Sequence, residues 1–173
     1  GDSNTAIGYD CLRLLEPANG NSYNTAVGMQ AGSAMTTGVE NVLIGGLAGD
    51  ALTSGGYNVA VGTSSLSAST TSSFNVAVGR SALATNILGS RNTAIGHQAL
   101  FTHNVGTAAD TYNTAVGYKA GTLITTGVQN TLIGGLAGDA LTTGSNNIAI
   151  GYRALTSEDA HGRNVAIGQD ALF

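Results

Sequence analysis

The chain has 173 residues, of which 26 are Gly and one is Pro, with no Trp and only 9% charged residues. A hydrophobic fraction of 42% excludes a disordered chain, and the scarcity of Glu, Lys and Arg excludes a helical domain. The net charge is −4, and Arg13, Arg80, Arg91, Lys119, Arg153 and Arg163 are scattered singly. That excludes the clustered basic face needed to bind nucleic acid or an anionic membrane.

The first predicted element is a five-residue strand, Asn4-Thr-Ala-Ile-Gly8. It recurs along the whole chain. The motif Asn-x-Ala/Leu-Ile/Val-Gly begins at Asn4, Asn24, Asn41, Asn58, Asn75, Asn92, Asn113, Asn130, Asn147 and Asn164. It ends at Gly8, Gly28, Gly45, Gly62, Gly79, Gly96, Gly117, Gly134, Gly151 and Gly168. Seven of the spacings are 17 residues, and the first and sixth are 20 and 21. A fixed period of this size marks a stack of repeated supersecondary units.

A second column keeps the same phase. Three residues after each motif Gly stands Cys11, Ala31, Ala48, Ser65, Ala82, Ala99, Ala120, Ala137, Ala154 or Ala171. The position after it reads Leu-Gly-Gly-Leu-Leu twice over. Tyr23–Gly55 and Tyr112–Gly144 agree at 25 of 33 positions, so a five-rung unit was duplicated. The chain is therefore expected to be one domain over 1–173, made of two five-rung units at about 1–88 and 89–173. It begins just before one motif copy and ends just after another, the pattern of a segment from a longer repetitive protein.

The predicted fold is an all-β parallel β-solenoid of ten rungs. At about 4.8 Å per rung it is a rod roughly 45–50 Å long. Within the motif, positions two and four share one face and positions one, three and five the other. The β-branched face is expected to point into the coil, and small outward columns to let copies pack closely. The Asn column is expected to stack as an amide ladder at a corner. The motif Gly is the place for a positive φ, and Thr/Ser/Gly-rich stretches such as Thr36-Thr37-Gly38 make the return turn. A coil this thin buries little area for its length, so oligomerisation along the rod is expected.

These residues suggest a family. Asn4-Thr-Ala-Ile-Gly8, Asn24-Thr-Ala-Val-Gly28 and Asn164-Val-Ala-Ile-Gly168 resemble the head repeats of YadA-like trimeric autotransporter adhesins. Similar repeats occur in phage tail fibres. The resemblance spans the whole chain and implies a left-handed β-roll assembled as a homotrimer. It also implies an extracellular role at a cell or virion surface, attaching to a host-surface protein or glycan. These turns are longer than those usual in the adhesin repeats.

Motifs that suggest chemistry carry little here. Gly45-Gly46-Leu47-Ala48-Gly49-Asp50 and its copy from Gly134 approach a calcium-binding nonapeptide, but Ala replaces its third Gly and the copies are not in tandem. They read as rung turns with solvated Asp50 and Asp139. His97 and His103 read as surface-loop histidines rather than a metal pair. Cys11 reads as packing. Glu158-Asp159 reads as solvated charge. No Gly-x-Ser-x-Gly elbow or P-loop is present. The expectation is no catalysis, no cofactor, no metal, no nucleic acid and no membrane insertion by this segment. The Thr column at motif position two is broken by Val42, Val59, Val76 and Val165, which counts against an ice-binding array.

Specific contacts are expected where the repeat breaks register, because insertions in solenoids map to one face. The candidates are Arg13, Glu16 and Asn19 in the first long rung and His103, Asn104 and Asp110 in the second. Tyr9, Tyr118 and Tyr152, which follow motif Gly residues, join them as exposed aromatics. The leading functional reading is a fibrous adhesive module. The alternative is a self-assembling filament subunit or tail-fibre shaft without its own receptor site.

Overall fold

The computed structural model describes residues 3–16, 22–157 and 160–173. It is an all-β parallel solenoid. The strands of its main sheet are β1 (Thr5–Ile7), β2 (Thr25–Val27), β3 (Val42–Ile44), β4 (Val59–Val61) and β5 (Val76–Val78), followed by β7 (Thr93–Ile95), β9 (Thr114–Val116), β10 (Thr131–Ile133), β11 (Ile148–Ile150) and β12 (Val165–Ile167). They lie in that order, all parallel and in register, so each motif column aligns from rung to rung. A second, two-stranded sheet pairs β6 (Gly89–Ser90) with β8 (Ala109–Asp110). It forms where the sixth rung, which starts at Asn92, is longer than its neighbours.

The alternation of each strand is as expected, but its direction is reversed. Ala26, Leu43, Ala60, Ala77, Ala94, Ala115, Leu132 and Ala149, all at motif position three, are fully buried. The β-branched residues of positions two and four point outward; Ile44, Ile95, Ile133 and Ile150 are exposed. The small column of Ala31, Ala48, Ala82 and Ala99 is inside the coil rather than on its surface. The reason is the narrow bore. A turn of 17 residues leaves room inside for Asn, small residues and at most two Leu-sized groups per rung, such as Leu43 with Leu52, and the β-branched column is placed outside.

The Asn column is the expected ladder. Each Oδ1 accepts the backbone N–H of the next motif Asn, as in Asn58 to Asn41 at 3.0 Å and Asn75 to Asn58 at 3.0 Å. Most Nδ2 groups donate to a carbonyl of the following turn, as in Asn41 to Gly55 at 3.0 Å and Asn130 to Gly144 at 2.9 Å. Many also donate to the preceding Oδ1, as in Asn147 to Asn130 at 3.0 Å. At the long sixth rung Thr111 joins in, donating its hydroxyl to Asn92 Oδ1 at 2.7 Å.

Each rung turns at four left-handed positions. The motif Gly residues have φ between 122 and 144°. A Cβ on Gly79 would lie 2.5 Å from the Gly96 carbonyl oxygen and 2.6 Å from its carbon, so the next rung's backbone forbids a side chain there. The other three positions are the residue before the Asn and the second and fourth residues after the Gly. In the fifth rung these are Phe74, Ser81 and Leu83, with φ of 60, 57 and 49°. The wall after the motif Gly is thus a stack of tight turns rather than a second sheet. Bonds between rungs hold it, including Leu66 N–H to Ala82 O at 3.0 Å and Leu83 N–H to Ala99 O at 3.0 Å.

The Leu-Gly-Gly-Leu-Leu order has a packing cause. A Cβ on Gly32 would lie 2.8 Å from Leu43 Cδ1, and one on Gly49 2.9 Å from Leu43 Cδ2. Leu43 therefore fills the space that leucines occupy elsewhere in the next column. Leu132 does the same for Gly121 and Gly138, whose added Cβ atoms would meet it at 2.7 and 2.8 Å. Leu43→Ala is expected to cost about 2–5 kcal/mol, as for other leucines truncated in cores. Adding Gly32→Leu and Gly49→Leu recreates the Ala-plus-Leu arrangement of the next three rungs and is expected to recover most of that loss. Urea melts of the single and triple variants check this; simple additivity of the three changes would refute the packing account. Gly79→Ala has no such remedy and is expected to cost about 3 kcal/mol or more, from a strained φ and a backbone clash.

Candidate functional site

The surface is apolar in one place. The outward columns of the main sheet run Thr5, Thr25, Val42, Val59, Val76, Thr93, Thr114, Thr131, Ile148, Val165 and Ile7, Val27, Ile44, Val61, Val78, Ile95, Val116, Ile133, Ile150, Ile167. The columns flanking them hold most of the aromatics. Before the motif stand Tyr23, Tyr57, Phe74 and Tyr112, and after it Tyr9, Met29, Tyr118 and Tyr152. Among the described residues, 16 of the 21 exposed large apolar side chains belong to these four columns. The remaining five are dispersed over the other walls, so the exposed apolar area is concentrated on one side of the rod.

Ten strands at about 4.8 Å, and four columns at most about 20 Å across, give this side, polar positions such as Glu40, Arg80 and Gln129 included, an area on the order of 850 Å². The regular pairing of the strands explains the shape: each in-register rung adds two β-branched groups at the same height as its neighbour's.

Along the edge before the motif the side chains form a ladder of flat groups. Tyr57 and Phe74 stack with ring centres 4.8 Å apart and planes 1° from parallel. The Arg91 guanidinium continues the stack, 4.7 Å from the Phe74 ring centre and 6.0 Å from that of Tyr112. Asp110, on β8, pairs with Arg91 at 2.8 Å and accepts the Tyr112 hydroxyl at 3.3 Å. Across the face, the Tyr118 ring stacks on His97 at 5.5 Å, and His97 lies 3.4 Å from Arg80.

The sequence candidates are distributed unevenly over this geometry. Tyr9, Tyr118 and Tyr152 are exposed and share one column, but in the first, seventh and ninth rungs, so they do not make one site. Arg13 is exposed and 3.9 Å from Asp10; Glu16 is exposed. Asn19 and the rest of the first long rung's insertion after Glu16 lie outside the described residues, as does Glu158-Asp159. Asn104 is half-buried and its Oδ1 accepts the Gly106 N–H at 3.2 Å, which fixes it within the turn. Asp110 does reach a cluster, whose partners Arg91 and Phe74 only the ladder geometry reveals.

His103 is a correction. It was expected as a surface contact and is 0% exposed inside the coil. Burial pushes its imidazole down to about 4, although the Thr125 carbonyl favours the charged form. Its position in the rung explains this: Met35, Leu52, Ile124 and Leu141 hold the same place in other rungs and are also buried. Asp50 and Asp139 are likewise less solvated than expected, and burial raises both carboxyls. Cys11 is half-buried in its column, its thiol raised by burial and donating to the Ala26 carbonyl at 3.2 Å. Among the described residues no three His, Cys, Asp or Glu side chains gather as a metal site.

No family model, curated protein or solved structure matches the chain.

The Arg91–Asp110 pair is exposed on both sides, so it is expected to contribute less than about 1 kcal/mol. Asp110→Ala should leave the melting curve almost unchanged. A large loss in a thermal melt would show that the edge ladder holds the sixth rung together and is not free to serve as a contact.

Proposed function

We propose that the chain is a rigid shaft segment of an extracellular fibre that associates lengthwise with copies of itself and serves in attachment at a cell or virion surface. The observation that carries this reading is the concentration of exposed Ile, Val and aromatic side chains on one face. An area on the order of 850 Å² per copy is close to the roughly 800 Å² that each partner buries in a stable interface. The occupant is another copy of this chain, because a column repeated at every rung is best matched by a surface of the same period. A homotrimer in the manner of YadA-like head repeats is the arrangement that the motif resemblance favours, and it gives each copy two neighbours. The exposed edges, with the Tyr57–Phe74–Arg91–Tyr112 ladder and Asp110, remain the candidates for contact with a host protein or glycan.

The ice-binding reading gains one point and keeps one obstacle. The threonine column does face outward, but four valines and Ile148 interrupt it. The filament reading differs in placing the contact at the rung ends rather than on the face.

Sedimentation equilibrium at micromolar concentration tests the proposal. The expected mass is three times the 17.2 kDa chain. Val61→Glu with Val78→Glu, both half-buried on the face, should give a folded monomer with an unchanged circular dichroism spectrum. A wild-type monomer would sink the association, and long fibres unaffected by the double substitution would favour the filament subunit. Glycan- or matrix-array binding that survives Arg91→Ala with Asp110→Ala would remove this edge as the contact.

A further inference from the structure

One inward column runs through the first eight rungs, seven residues after the motif Gly. It reads Leu15, Met35, Leu52, Ser69, Asn86, His103, Ile124, Leu141. Five of the eight are large apolar residues, and the three in the fourth to sixth rungs are polar. All three polar side chains are buried. Two have local partners: Ser69 bonds Ser72, and Asn86 both donates to the Gly89 carbonyl at 2.7 Å and accepts its N–H at 3.0 Å. His103 has none for either ring nitrogen.

The surroundings of His103 are close and uncharged. A Cβ built on Gly89 would lie 3.3 Å from His103 Nε2, 2.5 Å from Asn86 Oδ1 and 3.5 Å from Thr111 Oγ1. The imidazole thus lies by Gly89, Asn86, Thr111 and the Thr125 carbonyl, with Ile124 in the next rung of the column, and burial outweighs the help of that carbonyl to a charged ring. None of these titrates. The charged pair of the same rungs, Arg91 and Asp110, is on the surface, and no charged side chain contributes to the shift of the His103 ring. This is also where β6 and β8 replace the regular spacing of the return turn.

We propose that the polar core of the fourth to sixth rungs, centred on His103, is an acid-operated weak point at which proton uptake opens the rod between its two five-rung units. A neutral imidazole is tolerated in this position. A protonated one has no carboxylate to meet it, and a charge buried without a partner costs several kcal/mol. In a solenoid each rung touches only its neighbours, so the opening begins locally.

The sign follows from the direction of the shift. The folded-state value, about 4, lies below the ordinary 6.5. The stabilisation from a neutral ring is complete above pH 6.5 and is lost as the pH falls toward 4. Over that range the ratio of closed to open rungs should fall by about 80-fold. Asp50 and Asp139, with raised carboxyls on distant rungs, act in the opposite sense, so they cannot produce this loss.

Hydrogen exchange read by mass spectrometry on the whole chain, corrected for intrinsic rates, at pH 6.5 and pH 4.5 tests the proposal. Residues 75–112 should gain up to about 40-fold in exchange at the lower pH, and residues 24–57 should not. His103→Ile, which repeats Ile124, should abolish the difference between the two segments. His103→Asn, which repeats Asn86 and is neutral at every pH, should abolish it too and serves if the first variant folds poorly. Equal acceleration of both segments, a difference that persists in either variant, or a His103 ring titrating near 6.5 by NMR would each overturn it.

Discussion

Most motif asparagines bond in three directions from one buried position. The Oδ1 takes the next rung's backbone N–H, the Nδ2 reaches a carbonyl across the turn, and the amides of successive rungs bond one another. No other side chain of this size offers two donors and an acceptor in one plane. The corner the asparagine occupies has no other partner for those backbone groups, and buried backbone groups left unpaired cost free energy. The rest of the rung follows from this fixed corner. The strand leaving it must place position three inward, the Gly must turn at once beneath the next rung's carbonyl, and the return segment must bring Gly55 or Gly144 within reach of the amide. The repeated positive φ values are held by the same stacking. A single Phe74 or Leu83 in the left-handed region costs about 1–2 kcal/mol, and inter-rung hydrogen bonds offset it at every turn.

The narrowness of the coil gives the sequence its grammar. Beside the column of Met35 and Leu52, the interior admits at most one further leucine per rung, at either of two places. It comes from position three in the rungs of Leu43 and Leu132, and from the fourth residue after the Gly in those of Leu66, Leu83, Leu100 and Leu155. The glycines beside Leu43 and Leu132 are therefore packing partners of those leucines. The duplicated five-rung order preserves this pairing because breaking it in either unit leaves a void or a clash.

Much of this was legible in the sequence. Ten copies of Asn and Gly in phase determined the solenoid, the parallel register and the amide ladder before any coordinates. The facing of the strand was not legible, because alternation defines two faces without saying which is inside. The usual rule that Val and Ile are buried pointed the wrong way. It failed because Asn is committed to the corner and position three shares its face. His103 was misread for a related reason. Histidine in a long, Thr-rich turn has the composition of a surface loop, and only alignment with Met35, Leu52, Ile124 and Leu141 places it in a buried column. That alignment was available: all five stand seven residues after a motif Gly. Asp110 was singled out, but its stack with Arg91, Phe74 and Tyr112 depends on rung spacing and turn geometry that residue order does not give.

The two unusual features of the rod, an apolar outside and a polar patch inside, follow from one property. In a stack whose rungs contact only their neighbours, energetic exceptions stay local. Exposed Ile and Val cost little per rung in the folded chain, and the area becomes substantial only when ten rungs are summed, which is the length scale on which a second copy can bind. A polar residue in the core is likewise confined to its own rung and the two beside it. The regular face thus carries a property of the whole rod, while the column through Ser69, Asn86 and His103 carries a property of one place in it. Extending the array would strengthen the first in proportion to length and leave the second unchanged.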